Sequence, residues 1–196
     1  DEDTQMKKIF LVIAALGLLP VVSACDSLVA ATYNIRYKNP EDAQAGNGWD
    51  QRREHVRALI LFHGFDVVGL QEVVPEQLPE IVADLNGYEH VGILNNDGKA
   101  HGAEYVPIFY RADRFERLDS GTFWLSASPD TASVGWDALY PRICTWLRLR
   151  DRRTGKVFQV WNTHLDHRGK EAREASAELL LERLEPSLAR GDSVIL

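Results

Sequence analysis

The segment 161–167, Trp-Asn-Thr-His-Leu-Asp-His, carries two imidazoles, a carboxylate, an amide and a hydroxyl. These groups suit acid–base chemistry, phosphate contact or metal binding. The segment follows the apolar, alternating run 157–160, which predicts a buried strand, so its polar groups lie where that strand ends. The alternative is a strand-to-helix turn in which Asp166 or Thr163 caps a helix that begins near Lys170.

The rest of the chain alternates strand-like and helix-like patterns, which favours a mixed α/β architecture. The predicted strands lie near residues 29–35, 66–71, 88–93, 105–111, 115–118, 121–125, 143–150, 156–163 and 193–196. The predicted helices lie near residues 51–63, 75–85 and 170–189. The segment 150–156 contains turn residues between two strands and predicts a hairpin. Its basic residues are expected to form a solvated tip, with phosphate binding as the alternative.

Length and composition favour a single domain. The chain has 196 residues, 45% of them apolar, and no internal repeat, so it can bury one substantial core. Its net charge is −7, and an acidic surface does not suit tight, sequence-independent binding to long nucleic acid. Of the two cysteines, Cys144 lies in an apolar strand and is expected to be a buried thiol, so no disulfide framework is predicted.

The first residues predict export. Residues 1–5 precede the first methionine and are expected to be translated upstream sequence or a cloning remnant. Residues 6–25 read as a signal peptide, with two lysines, an apolar run and small residues before Cys25. The apolar run of about fourteen residues is short for a membrane span, which needs about 20. Val-Ser-Ala-Cys resembles a bacterial lipobox, so we expect a lipidated Cys25, and ordinary cleavage after Ala24 is the alternative. The protein is thus expected in the periplasm, outside the cell or anchored to the bacterial envelope.

Four further motifs precede the segment 161–167. They are 32–37 (Thr-Tyr-Asn-Ile-Arg-Tyr), 67–73 (Val-Val-Gly-Leu-Gln-Glu-Val), 104–111 (Glu-Tyr-Val-Pro-Ile-Phe-Tyr-Arg) and 141–146 (Pro-Arg-Ile-Cys-Thr-Trp). In order and separation, the five motifs resemble the endonuclease/exonuclease/phosphatase superfamily of metal-dependent phosphoesterases, which includes pancreatic deoxyribonuclease and bacterial sphingomyelinases. The resemblance covers about residues 29–196. It implies an α/β (α+β) fold, a four-layered sandwich of two mixed β-sheets flanked by helices, with the site at one end of the sheet pair.

The resemblance also implies roles for individual residues. Glu72 and Asn34 match the metal-site residues of the family, and their oxygens are hard ligands that suit Mg²⁺, with Mn²⁺ or Ca²⁺ as substitutes. His164 and Glu104 match a pair in which the glutamate orients and polarises the histidine, which suits proton donation to a leaving oxygen. Asn162 matches a further residue of the site and completes the predicted catalytic set. Taken singly, a capping Asn34, a surface Glu72 and a loop Glu104 are the alternatives.

Three more residues are predicted to bind substrate or phosphate. Arg142 matches a phosphate-contacting arginine, and a guanidinium suits bidentate contact with phosphate; a structural salt bridge is the alternative. Asp166 and His167 extend the histidine motif and are expected to contact the substrate, although Asp166 could instead cap the following helix. Tyr110 is expected to be a core residue.

The end of the chain departs from the family. In the superfamily, the strand that matches 193–196 leads into a Gly-Asp-Phe-Asn motif and later a Ser-Asp-His motif, which supply groups that activate the attacking water. The chain ends at Leu196, before either motif. We therefore expect residues 26–196 to be a partial domain, truncated at its C-terminus and inert as a catalyst on its own.

The motifs together predict a metal-dependent phosphoesterase. Its substrate would be a phosphodiester or phosphomonoester in nucleic acid, a phospholipid headgroup or a sugar phosphate, and we expect a monomer. One alternative is a non-catalytic exported binding protein that keeps the fold. The other is a glycosidase that uses Glu72 and Glu104 as paired acids.

Overall fold

A computed structural model describes residues 27–96 and 103–196, so the predicted signal peptide and Cys25 lie outside the described residues. The strands are β1 Ala30–Asn34, β2 Val67–Gln71, β3 Tyr88–Val91, β4 Ile108–Arg111, β5 Phe115–Trp124, β6 Ile143–Asp151, β7 Val157–Thr163 and β8 Ser193–Ile195. The helices are α1 Pro40–Gln44, α2 Trp49–His63, α3 Gln77–Asp84 and α4 Lys170–Ala189. In the described part of the chain, none of these helices has both the length and the apolar character that a membrane crossing requires.

The strands form two four-stranded sheets. The first has the order β1-β2-β4-β3, with β1 and β2 parallel and the other pairs antiparallel. The second has the order β5-β6-β7-β8, antiparallel except for the parallel pair β7–β8. The sheets pack face to face, with α2 and α3 outside the first and α4 outside the second. The predicted four-layered sandwich of two mixed sheets is therefore confirmed.

Three apolar clusters fill the spaces between the layers. Between the sheets lie Val67, Val91, Ile108, Tyr110, Phe115, Leu147, Leu149, Phe158 and Val160. Strand β2 packs against a different layer on each face: Val67 faces the second sheet, whereas Val68 and Leu70 face the helices. All five residues of β2 are buried, because a central strand of this architecture is covered on both faces. Tyr110 is a core residue, as predicted.

Two local predictions were wrong. The predicted strands 115–118 and 121–125 are one strand, β5, whose register shifts between Arg117 and Asp119. Such a bulge absorbs one extra residue without ending the strand. The polar residues at this point resemble a break between two strands, so the sequence pattern did not reveal one continuous strand. The short helix α1 was not predicted. It is only five residues long and depends on Asn39, whose side chain caps the Glu41 N–H ahead of the apolar pattern of α2.

Buried charges clamp the two sheets at the end where β2 begins. Arg114 lies 2.7 Å from Asp66, just before β2, and 2.9 Å from Asp151, at the end of β6, and all three are buried. The predicted hairpin follows Asp151 and is confirmed. Cys144 is a buried free thiol, also as predicted, and burial raises its pKa. These ion pairs lie at the start of β2, and Glu72 follows the opposite end of the strand.

Candidate active site

Strands β1 and β2 run parallel and end together, with Asn34 opposite Gln71. Glu72 follows directly, and its φ of 61° lies in the left-handed region that residues other than glycine seldom adopt. The Glu72 carboxylate accepts hydrogen bonds from Asn34 Nδ2 at 2.8 Å and from the Tyr37 N–H at 3.2 Å. A strained backbone that holds a carboxylate in one position is a feature that clusters at functional sites.

Asn34 donates to Glu72 in this structure. Its Oδ1 accepts a hydrogen bond from the Arg36 N–H at 2.9 Å, and Arg36 also has a positive φ, 63°. The amide oxygen therefore faces the main chain, and the amide nitrogen faces the Glu72 carboxylate. A metal ligand must present the oxygen, and in this arrangement the Asn34 oxygen faces the main chain, so its role as a ligand stays a prediction. Here the side chain positions Glu72.

His164 lies at the end of β7, beside Glu72. Its Nε2 is 3.7 Å from Glu72 Oε1. Burial lowers the pKa of His164 and the Arg142 guanidinium lowers it further, while Glu72 opposes both, so the ring is neutral at pH 7. No ion pair joins His164 to Glu104 among the described residues, so the predicted pairing of these two residues stays a prediction. Glu72 lies beside His164 because β2 and β7 face each other across the sandwich.

Glu104 lies on the opposite wall of the same region. Its N–H donates to Asn95 Oδ1 at 2.9 Å, and the N–H of Tyr105 donates to the carbonyl of Val73, next to Glu72, at 2.7 Å. Burial raises the pKa of the Glu104 carboxyl to about 7, with Arg142 opposing the shift and Glu72 adding to it. Glu104 is therefore a carboxyl group that gains or loses a proton near neutral pH.

Arg142 is the buried cation of the site. Its Nε donates to Asp166 at 3.3 Å, and its Nη2 lies 3.2 Å from His167 Nδ1. The Tyr140 ring stacks on His167 with 6.5 Å between ring centres. These contacts hold the guanidinium at the cavity wall, where it can meet an anion. Arg142 and His167 both line the cavity, and their contact with phosphate stays a prediction.

Asp166 does not lie where substrate contact was predicted. Its carboxylate is 2% exposed and accepts four hydrogen bonds, from Arg142 and from the backbone N–H groups of Leu139, Arg168 and Gly169. Burial works against ionisation, but the three N–H groups and then Arg142 lower the pKa of Asp166 far below its usual range. With its oxygens satisfied inside the protein, Asp166 joins the loop before β6, which carries Arg142, to the loop after β7, which carries His167.

Asn162, predicted to be catalytic, lies between the sheets. Its Nδ2 donates to the carbonyls of Leu70 and Pro107, both at 2.9 Å, and its Oδ1 accepts from Gln71 Nε2 at 2.7 Å. The side chain is buried and does not line the cavity. A catalytic contact stays a prediction, whereas the observed role is to tie β7 to the end of β2, just below Glu72.

These side chains surround one open cavity of about 740 Å³. It is lined by Arg36, Tyr37, Glu72, Val74, Pro75, Glu76, Ala103, Glu104, Leu139, Tyr140, Arg142, His164, His167 and Arg168. Sequence reasoning missed the cationic and aromatic rim formed by Arg36, Tyr37, Tyr140 and Arg168. Their neighbours in the chain were a usable signal, because each lies within three residues of Asn34, Arg142 or Asp166.

Comparison with known proteins fits this arrangement. The sequence profile of the endonuclease/exonuclease/phosphatase family matches residues 31–196. The chain belongs to this family. Among solved structures, a mannosyl-6-phosphatase from Bacteroides thetaiotaomicron is 42% identical, with a TM-score of 0.79, and the match covers 86% of this chain and 62% of that one. The family protein from Bacteroides vulgatus is 46% identical over 79% of this chain and 59% of its own, with a TM-score of 0.73.

More distant relatives show the fold alone. The human Nocturnin catalytic domain is 18% identical with a TM-score of 0.62, over 82% of this chain and 60% of its own. An uncharacterised protein of Acanthamoeba polyphaga mimivirus is 25% identical over 125 residues, 60% of this chain and 46% of that protein. The chain thus spans about three fifths or less of the length of these relatives.

Members of the endonuclease/exonuclease/phosphatase family generally depend on a divalent metal ion. The Glu72 carboxylate fits such an ion, since Mg²⁺ is commonly bound through one or two carboxylates, with waters and substrate phosphates as further ligands. Across the described residues, no cluster of three or more His, Cys, Asp or Glu side chains could form a closed metal cage. Glu72 is therefore the residue that would hold the ion, with Asn34 able to join it only after turning its amide oxygen.

Proposed function

We propose that the protein hydrolyses a phosphomonoester carried by a small sugar-like molecule. The observation that carries the proposal is the convergence of Glu72, His164 and Arg142 on one cavity. Its volume of about 740 Å³ lies within the range of small-molecule sites, roughly 300–1,000 Å³. A relative that is 42% identical over 86% of the chain is named a mannosyl-6-phosphatase. The net charge of −7 supports a small substrate over long nucleic acid.

Each side chain has a place in this reaction. A divalent ion held at Glu72 would neutralise negative charge on the phosphoryl oxygens. Arg142, held by Asp166, binds a phosphoryl oxygen through the guanidinium edge that faces the cavity. The His164 ring, neutral because it is buried next to Arg142, donates a hydrogen bond to the phosphoryl group from one ring nitrogen. Tyr37 and Tyr140 on the rim offer flat surfaces to a sugar ring.

Phosphate released from the monoester and p-nitrophenol released from the diester measure the two activities directly. Mannose 6-phosphate and bis-p-nitrophenyl phosphate are incubated with and without Mg²⁺, using residues 1–196 and a chain extended through the Gly-Asp-Phe-Asn and Ser-Asp-His motifs of the family. We expect metal-dependent release from mannose 6-phosphate by the extended chain, and the comparison with residues 1–196 measures what the added motifs contribute. Cleavage of the diester without cleavage of the monoester would instead identify a phosphodiesterase.

A non-catalytic binding protein is the second candidate, since no group of three or more His, Cys, Asp or Glu side chains among the described residues could hold a metal ion. It predicts that the extended chain binds mannose 6-phosphate but releases no phosphate. The glycosidase alternative has no support, because the chain belongs to the endonuclease/exonuclease/phosphatase family. We further propose that the protein acts as a monomer outside the cytoplasm, exported by residues 6–25 and attached to the envelope through Cys25.

A further inference from the structure

A second cavity, of about 430 Å³, lies on the outer face of the second sheet. Strands β5, β6 and β7 form its floor, and the last turns of α4 form one wall. It is lined by Asp119, Phe123, Trp146, Arg148, Gln159, Trp161, Arg183, Ser187 and Arg190. None of these residues lines the candidate active site. The two cavities are therefore separate sites.

The side chains that line the second cavity include more cations than anions. Three arginines and one carboxylate line it, in a protein whose net charge is −7. Arg183 pairs with Asp130 at 3.1 Å, and Arg190 pairs with Asp192 at 3.2 Å. The Arg148 side chain forms no ion pair or hydrogen bond with a described residue, although the Asp192 carboxylate attracts it at longer range, and its Nε is buried without a partner. A buried donor without an acceptor destabilises a fold, and no described residue supplies an acceptor to the Arg148 guanidinium.

The nearest side chains do not supply that acceptor. Asp119 lies opposite Arg148 on β5, and Gln159 lies opposite it on β7. Asp119 accepts a hydrogen bond from the next backbone N–H at 2.8 Å and makes no ion pair with Arg148, both residues being described. The Gln159 amide is occupied: its nitrogen donates to Ser187 Oγ at 2.8 Å and to Asp192 Oδ2 at 3.0 Å, and its oxygen accepts from Trp161 Nε1 at 3.0 Å.

Aromatic surfaces lie next to the unpaired guanidinium. Trp146 stands two residues before Arg148 on the same face of β6, and its indole rests against Gly121, where a Cβ would lie 2.7 Å from Trp146 Nε1. Phe123 lies beyond, under the Arg183 guanidinium, 5.3 Å from the ring centre. The cavity thus joins a guanidinium that has no close ion pair among the described residues to an apolar wall.

We propose that the second cavity binds a small organic anion through Arg148. One guanidinium without an ion-pair partner suits one oxyanion, either a carboxylate or a phosphate ester, whose oxygens accept from the outer Nη groups of Arg148. The body of the ligand packs on Trp146. This site is independent of the proposed phosphoesterase activity, since the two cavities share no lining residue.

The test uses the Trp146 indole N–H as a local probe. The full chain is labelled with ¹⁵N, the signal is assigned with Trp146→Phe, and the protein is titrated with inorganic phosphate and, separately, with acetate. We expect a saturable shift of this signal with at least one anion, and the anion that saturates it identifies the ligand class. No tryptophan lines the candidate active site, so phosphate bound there does not produce this shift.

Variants of the two neighbouring arginines decide the outcome. Arg148→Gln should weaken binding at least tenfold, and Arg148→Lys should also weaken it because lysine keeps the charge but loses the forked donor set. Arg150→Gln is the matched control: it lies on the same strand, is exposed, and pairs with Glu116 outside the cavity. The absence of a saturable shift with both anions overturns the proposal. So does unchanged affinity in a folded Arg148→Gln or Arg148→Lys chain.

Discussion

Gly69 and Asn162 face each other across the interior of the sandwich, and a Cβ atom added to Gly69 would lie 2.6 Å from Asn162 Oδ1. Gly69 sits in the middle of β2, where its lack of a side chain leaves room for the Asn162 amide to reach Leu70, Gln71 and Pro107. The contact joins the two sheets directly beneath Glu72. The Glu72 carboxylate, the proposed metal ligand, therefore lies next to a contact that requires glycine at position 69 of β2.

Gly69→Ala should lower the free energy of unfolding by about 1–3 kcal/mol, because overpacking displaces a buried amide with three hydrogen bonds. Urea unfolding measures the loss. Asn162→Ala should also destabilise the chain, but in the double variant the Cβ no longer meets the amide. The two costs should thus fail to add; additive costs would show that the two residues do not interact.

Glu72→Gln should reduce Mg²⁺ affinity, measured by calorimetry, because it removes the charged oxygen that faces the cavity. In the extended chain, phosphate release should fall by orders of magnitude, and saturating Mg²⁺ should restore only part of it. His164→Ala should abolish turnover and keep most of the metal affinity. Glu76→Gln, an exposed carboxylate on the same cavity wall, is the control for lost charge. Equal Mg²⁺ affinity in wild type and Glu72→Gln would remove Glu72 as the ligand.

Glu104→Gln should stabilise the protein at pH 8 and change little at pH 5. The folded carboxyl has a pKa of about 7, whereas an unfolded glutamate titrates near about 4.3. Between these values the folded state binds more protons, so wild-type stability falls as pH rises through this window. Glu104→Gln lacks the titrating carboxyl, so the stability of the variant does not fall over this pH range. Urea unfolding from pH 5 to pH 8 should show the two stabilities diverging, and parallel curves would refute the burial of this carboxyl.

Asp166→Asn should cost about 2–4 kcal/mol at pH 7, since an amide NH₂ would face donors that now bind a carboxylate. The folded pKa is depressed, so the wild-type advantage is complete above the unfolded pKa of about 3.9 and shrinks as pH falls below it. Asp130→Asn, whose side chain is 81% exposed in its pair with Arg183, should change stability little. Thermal unfolding from pH 3 to pH 7 compares them. An equal, small loss in both variants would mean that Asp166 does not organise its loop.

Cys25 should carry a lipid when the chain is expressed with its residues 6–25 in bacteria. Radiolabelled palmitate should be incorporated into the wild type and not into Cys25→Ala. Incorporation that survives the substitution would refute lipidation at this residue. Retention of the unprocessed chain in the cytoplasm would refute export as well.

The strand pattern by itself placed Glu72 and His164 directly after the ends of two strands, where the structure has them. Asn34, Glu72 and His164 each follow or close an apolar run, and alternation and apolar content are local properties that a chain reveals without its fold. The same holds for the order of strands and helices, which favoured a mixed α/β architecture, whereas the four-layered sandwich was implied by the family resemblance. Only the bulged β5 and the five-residue α1 escaped, because a register shift and a side-chain cap leave little trace in hydrophobic pattern.

Tertiary structure decided which of these polar groups meet. Glu104 and Glu72 are equivalent in sequence as partners for His164, and the choice of Glu72 follows from the packing of β2 against β7. Asn162 and Asp166 look like site residues beside His164, yet both are buried and hydrogen-bonded within the protein. Spacing along a chain does not report distances between strands of different sheets. Burial, hydrogen-bond partners and pKa shifts depend on those distances, so only the folded chain could reveal them.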